Sequence, residues 1–331
     1  MRFVIYGAGA IGGVIGGRLF EAGHDVTLVA RGAHEQALRD KGLRLASATG
    51  VATLPVPVVG HPADAGLRDG DVVVLAMKSQ DTAEAVATLV PHAPPGIAVA
   101  CAQNGVENER AVLRWFADVY AINVMCPATH LEPGVVVAHS SPVSGIFDLG
   151  RFPSGTDETA EAIAAAFRSS TFASDARGDI MRWKYRKLIL NLGNAVDAVC
   201  GALGASGGFD TSDEGIGELI RRVTAEGEAC LAAAGIDVAS VQEDHERRGN
   251  LLNRQAVDGA ERSGSSSWQS LARGTRSIES DYLNGEIVLL GRLHGVPTPV
   301  NDLLRRLAAS MAAEGRPPGS VPAGEVLARL K

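Results

Sequence analysis

Gly7-Ala8-Gly9-Ala10-Ile11-Gly12 follows an apolar run, Val4-Ile5-Tyr6, and opens a helix-length segment. That context suits a dinucleotide pyrophosphate. Gly7 allows the tight turn, Gly9 lets the backbone approach the anion, and Gly12 lets the helix pack on the strand. The helix N-terminus adds unsatisfied N–H groups and the positive end of its dipole. Ala8, Ala10 and Ile11 supply the remaining backbone of the loop. A glycine-softened turn with no ligand is the competing reading of the same string.

About 20 residues beyond such glycines, an acid usually receives a ribose 2′-hydroxyl. Here the chain has Arg31, with no acid between Asp25 and Glu35. A guanidinium suits a 2′-phosphate, so the expected cofactor is NADP(H); a solvated arginine opening a loop is the alternative. Lys78 follows the apolar run Val72–Met77, placing it with a phosphate or simply in an exposed loop. Asn104, in Gln103-Asn104-Gly105, follows another such run, where it would hold nicotinamide or substrate or make an Asn-Gly turn.

Lys187, Asn191 and Asn194 fall at i, i+4 and i+7 and would share one face of a single helix. A lysine among apolar neighbours can donate protons, because burial moves its pKa toward working pH. A snorkelling lysine on an amphipathic helix has the same pattern. Ser265-Ser266-Ser267-Trp268-Gln269-Ser270 is hydroxyl-rich, and Glu279 and Asp281 enter a helix ending near Gly295. Alone, these read as a loop and as ordinary helix-dipole chemistry.

The elements that must position these residues are legible in outline. Val4–Tyr6, Val26–Val29, Val72–Leu75 and Ile97–Ala100 read as strands buried on both faces, alternating with helices, the grammar of a doubly wound parallel α/β sheet. Gly134–Val137 and Ser144–Phe147 suggest an antiparallel appendage at its edge. From about Asp179 strand signals give way to helix. The expected division is a Rossmann NADP(H)-binding domain over 1–172, a helical substrate domain over 173–316 and a surface tail over 317–331.

With 331 residues, 46% hydrophobic and 21% charged, the chain is long enough for about two domains and is not disordered. A net charge of −7 offers no basic surface for nucleic acid. No run approaches the roughly 18 apolar residues of a membrane span. Four dispersed cysteines fit reduced thiols and a cytoplasmic location. Cys126, His130 and His139 match no zinc spacing, so no metal is expected.

At these residues the chain resembles the ketopantoate reductase family over almost its whole length. The resemblance is carried by Met1–Gly12, Gly23–Arg31, Gln103-Asn104-Gly105, Trp183 with Lys187-Leu188-x-x-Asn191, and Glu279–Gly285. It implies a Rossmann domain followed by a helical domain, and reduction of a 2-oxo acid by NADPH. It further implies Lys187 as general acid and Glu279 as acceptor from the substrate hydroxyl. Asn104, Asn191 and a serine near Ser267 would orient substrate, and Asn194 is a further substrate-binding candidate.

The departures concern substrate. Ala195 stands where many members have a second asparagine, Asn194 coming one residue early, and Trp268-Gln269-Ser270-Leu271 lacks the usual Gln-Asp. A different 2-oxo or 3-oxo acid, or a non-catalytic NADP(H)-sensing module, stays open beside ketopantoate. Helical second domains of this size often pair, so a homodimer is an open expectation.

Overall fold

The structure is a computed structural model that describes residues 1–204, 208–257 and 264–330. It divides into two units, Met1–Lys184 with Val241–Glu261, and Tyr185–Ser240 with Arg262–Lys331. Among the described residues no helix is long and apolar enough to cross a membrane.

The first unit begins β1 (Arg2–Tyr6), α1 (Ala10–Glu21), β2 (Asp25–Val29), α2 (Gly32–Lys41), β3 (Leu43–Ser47), β4 (Gly50–Leu54), β5 (Val58–Val59) and β6 (Asp71–Leu75). It continues through α3 (Thr82–Leu89), β7 (Ala98–Cys101), α4 (Asn108–Leu113), β8 (Val119–Met125), β9 (Ala128–Thr129), β10 (Val135–Ala138), β11 (Ser140–Pro142), β12 (Gly145–Arg151), α5 (Glu158–Arg168) and β13 (Phe172–Ala173). The main sheet runs β13-β12-β8-β7-β6-β1-β2-β5 and is parallel except for β12 against β8. Each predicted apolar run forms one of its strands. They are apolar throughout because both faces are covered: Phe3, Ile5 and Leu28 pack with α1 and α5, and Val4, Val73 and Val99 pack with α3 and α4. Strand order reverses between β1 and β6, the switch point at which open α/β sheets bind ligands beyond the strands' carboxyl ends.

One expectation about this unit needs correction. Of the two segments expected as an antiparallel appendage, only Ser144–Phe147, as β12, joins the main sheet, antiparallel to β8 and carrying β13 with it. Gly134–Val137 instead enters a second sheet, β4-β3-β10-β9, with β10 parallel to β3. Its partner is remote in sequence, so local turn spacing carried no sign of it. As a compact unit the first part runs on through Lys184, past the division expected at 172/173. The break at Ser169-Ser170-Thr171 is a turn into an edge strand, with Thr171 at φ 61°.

A later segment returns to this unit. It holds α9 (Val241–Arg248) and β14 (Leu252–Arg254), which pairs with β11. Arg247 donates to Asp148, which is fully buried, at 2.6 and 2.7 Å.

The second unit takes the latter part of α6 (Ile180–Asn191), then α7 (Gly193–Cys200), α8 (Glu214–Ala233), α10 (Ser266–Ala272), α11 (Asn284–His294), α12 (Pro299–Glu314) and α13 (Ala323–Ala328). Gly227 lets α8 approach α6: a Cβ there would lie 2.7 Å from Ile189 Cδ1 and Leu192 Cδ1. The tail is not loose on the surface. Gly319 N–H donates to Ala198 O at 3.0 Å, Val321 N–H to Val199 O at 3.1 Å, and Val321 and Val326 are buried. Those apolar side chains tie the expected surface tail to the unit.

Candidate active site

In the first unit, Gly7, Arg31, Lys78 and Asn104 all lie just beyond the carboxyl ends of four adjacent parallel strands, β1, β2, β6 and β7. The three motif glycines differ in what surrounds them. Gly7 has φ 99°, and a Cβ there would meet Met77 N at 2.8 Å. At Gly12 a Cβ would meet Gly7 O at 2.1 Å and Ile5 Cγ2 at 3.0 Å, so only glycine lets α1 rest on β1. At Gly9 nothing lies within 4 Å of the Cβ position. Gly9 is the N-cap of α1, no side chain caps that helix, and its first turn holds no acid. The loop of Gly7, Ala8, Gly9, Ala10, Ile11 and Gly12 thus leaves room and N–H groups where a pyrophosphate would sit, and these residues fit a dinucleotide.

Arg31 is the N-cap of α2 with its side chain 80% exposed, 3.9 Å from an exposed Asp81 carboxylate. So open and long a pair holds the guanidinium only weakly. Lys78 is half-buried at the start of a single 3₁₀ turn, Ser79–Asp81.

The loop bearing Asn104 is braced through its main chain. Asn104 O accepts from Ser79 Oγ at 3.3 Å and Asn108 Nδ2 at 3.0 Å, and Gln103 Nε2 donates to Thr82 Oγ1 at 2.7 Å. Lys184 Nζ donates to Gln103 O at 3.0 Å and forms a buried ion pair with Glu109. The sequence singled out Lys187 on this helix and passed over Lys184.

In the second unit, Lys187 is half-buried and Asn191 buried on α6. Asn194 is not on that helix. α6 ends at Asn191 and α7 starts at Gly193, while Leu192 N–H bonds back to Ile189 O at 3.3 Å. Gly193 opens α7, where a Cβ would meet the Phe209 ring at 2.4 Å.

Glu279, 3% exposed, sits in a 3₁₀ turn, Glu279–Asp281, rather than inside α11. Asn284, at the start of α11, fastens this segment to the α6–α7 junction by donating to Leu192 O at 3.1 Å and Asn301 Oδ1 at 2.9 Å. Ser267 is 1% exposed on α10. Asp197 holds that region: one carboxylate oxygen accepts from Leu203 N at 2.9 Å, the other from Ser265 N at 2.8 Å. A lone acid in the helical run Ala195-Val196-Asp197-Ala198-Val199 was the available signal for it.

The remaining candidates are accounted for locally. His139 Nε2 lies 3.0 Å from Thr129 Oγ1, and His130 Nδ1 lies 2.9 Å from Val135 O.

Residues 3–154 match the family model described as Ketopantoate reductase PanE/ApbA, and residues 179–312 match the one described as its C terminal. The chain is 30% identical to a 2-dehydropantoate 2-reductase of Halobacterium salinarum, covering 95% of this chain and 100% of that one. With its Pyrococcus horikoshii counterpart the figures are 27%, 95% and 99%. A PanE/ApbA family ketopantoate reductase from Ralstonia eutropha JMP134 superposes at TM-score 0.79, with 30% identity over 95% of this chain and 99% of that one. A D-mandelate dehydrogenase solved with NADH and anilino(oxo)acetate shares the fold at TM-score 0.78 and 22% identity, covering 95% and 99%.

Proposed function

Since this chain belongs to the ketopantoate reductase family and is an NADP-dependent oxidoreductase, we propose that it reduces 2-dehydropantoate to the 2-hydroxy acid pantoate. The observation that carries the reading lies in the second unit. Lys187 and Asn191 share α6, and the end of that helix is bonded through Asn284 to the segment of buried Glu279.

NADPH, when bound, supplies the hydride that the keto carbon accepts. Gly7, Gly9 and Gly12, with the N–H groups of Ala10 and Ile11, hold its pyrophosphate. Arg31 and Lys78 take its phosphates, and Ala8 completes the turn. As negative charge grows on the substrate oxygen, the Lys187 ammonium stabilises it and transfers a proton to it. Glu279 accepts a hydrogen bond from the substrate hydroxyl, and Asn104, Asn191, Asn194 and Ser267 orient the acid. Four dispersed cysteines agree with a cytoplasmic enzyme. Leu289 and Leu293, 48% and 68% exposed and one turn apart on α11, agree with a homodimer, which a monomeric mass by light scattering would remove.

Trp268, next to Ser267 and packed over Gly264, supports a second reading: a different 2-oxo acid. The test is NADPH oxidation against 2-dehydropantoate, phenylglyoxylate and a 3-oxo acid. The highest kcat/KM is expected for 2-dehydropantoate. A clear preference for another acid would replace the substrate, and turnover of none of the three would overturn both readings.

A further inference from the structure

His34, on α2, joins two parts of the first unit that its sequence position does not link. Its Nδ1 accepts the Gly134 N–H at 2.8 Å. In the neutral ring the hydrogen is then on Nε2, which donates to Ala8 O at 2.7 Å. The His130 ring lies 4.3 Å away, tilted by 53°. Nothing in the glycine motif or in the assignment of Arg31 gives this imidazole a task.

Its acceptor suggests one. A trans peptide is planar, and its C=O and N–H point in opposite directions. Holding Ala8 O toward His34 therefore turns the Gly9 N–H away from α2. Gly9 is the loop position with open space around it. We propose that His34 is a positioning residue for NADP(H): through Ala8 O it sets the Ala8–Gly9 peptide so that the Gly9 N–H faces the pyrophosphate. This rests on the reading of the glycine loop as the pyrophosphate site.

The device is complete in one protonation state. A protonated ring would present Nδ1–H to the Gly134 N–H, two donors facing one another; Nε2–H would still donate to Ala8 O, but from a ring that has lost the Gly134 anchor fixing its place. Burial lowers the His34 pKa, opposed by the hydrogen bond to Ala8, and no charged neighbour contributes to that shift. The titratable group packed on the ring from another element is His130. Arg31 and Glu35 flank His34 on its own helix, and Glu132 precedes Gly134 in the facing loop. The neutral, bridging form is thus the one present at neutral pH.

The test is the Kd for NADPH, read by titration calorimetry on the full chain over roughly pH 5–8, for wild type, His34→Ala, His34→Gln and Gly9→Val. His34→Ala should weaken binding about tenfold at neutral pH. His34→Gln keeps a donor for Ala8 O, so it should bind within about threefold of wild type, but without the acid-side loss that protonation causes. The 2′-phosphate of the ligand titrates near pH ~6 and affects both proteins alike, so the difference between their profiles carries the result. Superimposed profiles, or a folded His34→Ala with the wild-type Kd, would overturn the proposal. If His34→Ala fails to fold, the His34→Gln comparison decides. Gly9→Val has space for its Cβ and should fold yet lose NADPH. Should Gly9→Val bind normally, the loop reading itself falls; should it lose binding while both His34 variants behave as wild type, only the role of His34 falls.

Discussion

Lys184 and Glu109 form an ion pair with both side chains out of water, 2% and 0% exposed. Because the ammonium also donates to Gln103 O, one buried charge braces both α4 and the loop that carries Asn104. Removing one member strands the other in a medium that solvates it poorly, at a cost of about 3–5 kcal/mol. Lys184→Met should lower stability by that amount in urea unfolding, and adding Glu109→Leu should recover most of it. A single variant as stable as wild type would show that the pair is solvated.

Asn284 makes the corresponding link in the second unit. Asn284→Ala leaves Leu192 O and Asn301 Oδ1 without this donor, each costing about 1–3 kcal/mol if unsatisfied. The α6–α7 junction and the Glu279 segment lose their shared bond, so KM for the oxo acid should rise while the NADPH Kd stays constant. An unchanged KM with a lower Tm would confine Asn284 to stability.

Arg31 should decide the cofactor. A charge-assisted contact to the 2′-phosphate is worth about 1.5–3 kcal/mol, so Arg31→Ala should reduce the preference for NADPH over NADH by about 10–100-fold, almost wholly through KM for NADPH. Asp81, 3.9 Å from the guanidinium, would repel the same phosphate, and Asp81→Asn should sharpen the preference modestly. Equal ratios in wild type and Arg31→Ala would move the 2′-phosphate elsewhere.

Two histidines set an acid limit on stability. His34 and His139 both have pKa values lowered from 6.5, chiefly by burial, with Arg254 adding to the effect on His139. Between the lowered folded value and the unfolded one, the unfolded chain binds more protons, so stability rises with pH there. Their contribution is full above about pH 6.5 and is lost as pH falls through the folded values. Tm should therefore drop on acidification below that point, and the drop should be shallower in His139→Asn. An identical slope would exclude His139.

What could be read in the sequence was what the local chain determines. β1, β2, β6 and β7 are buried on both faces, so their apolar runs are continuous, and the glycine loop works through its own backbone. What could not be read was set by distant partners. Lys184 and Lys187 look alike until Glu109 is placed beside one of them. β10 belongs with β3, which lies more than a quarter of the chain upstream, so nothing in its own neighbourhood points to that sheet. Arg247 reads as one more charge on an exposed helix until it meets Asp148. The α6–α7 break has a local sign in Gly193, but the spacing of Lys187, Asn191 and Asn194 on one helical face masks it.

Lys187 carries the chemistry in the proposed mechanism, and its substitution separates binding from the reaction. The glycine loop and Arg31 belong to the other unit and are intact in Lys187→Ala, so NADPH should bind with the wild-type Kd. The keto oxygen then gains negative charge with no cation or proton beside it, and kcat should fall by about 10²–10⁴. Lys187→Arg keeps the charge but is far too weak an acid to release its proton; it should recover part of the oxo-acid KM and little of kcat. Parallel recovery of kcat in the arginine variant would show that charge alone suffices and that the proton comes from solvent. Wild-type turnover in Lys187→Ala would remove the lysine from the reaction altogether.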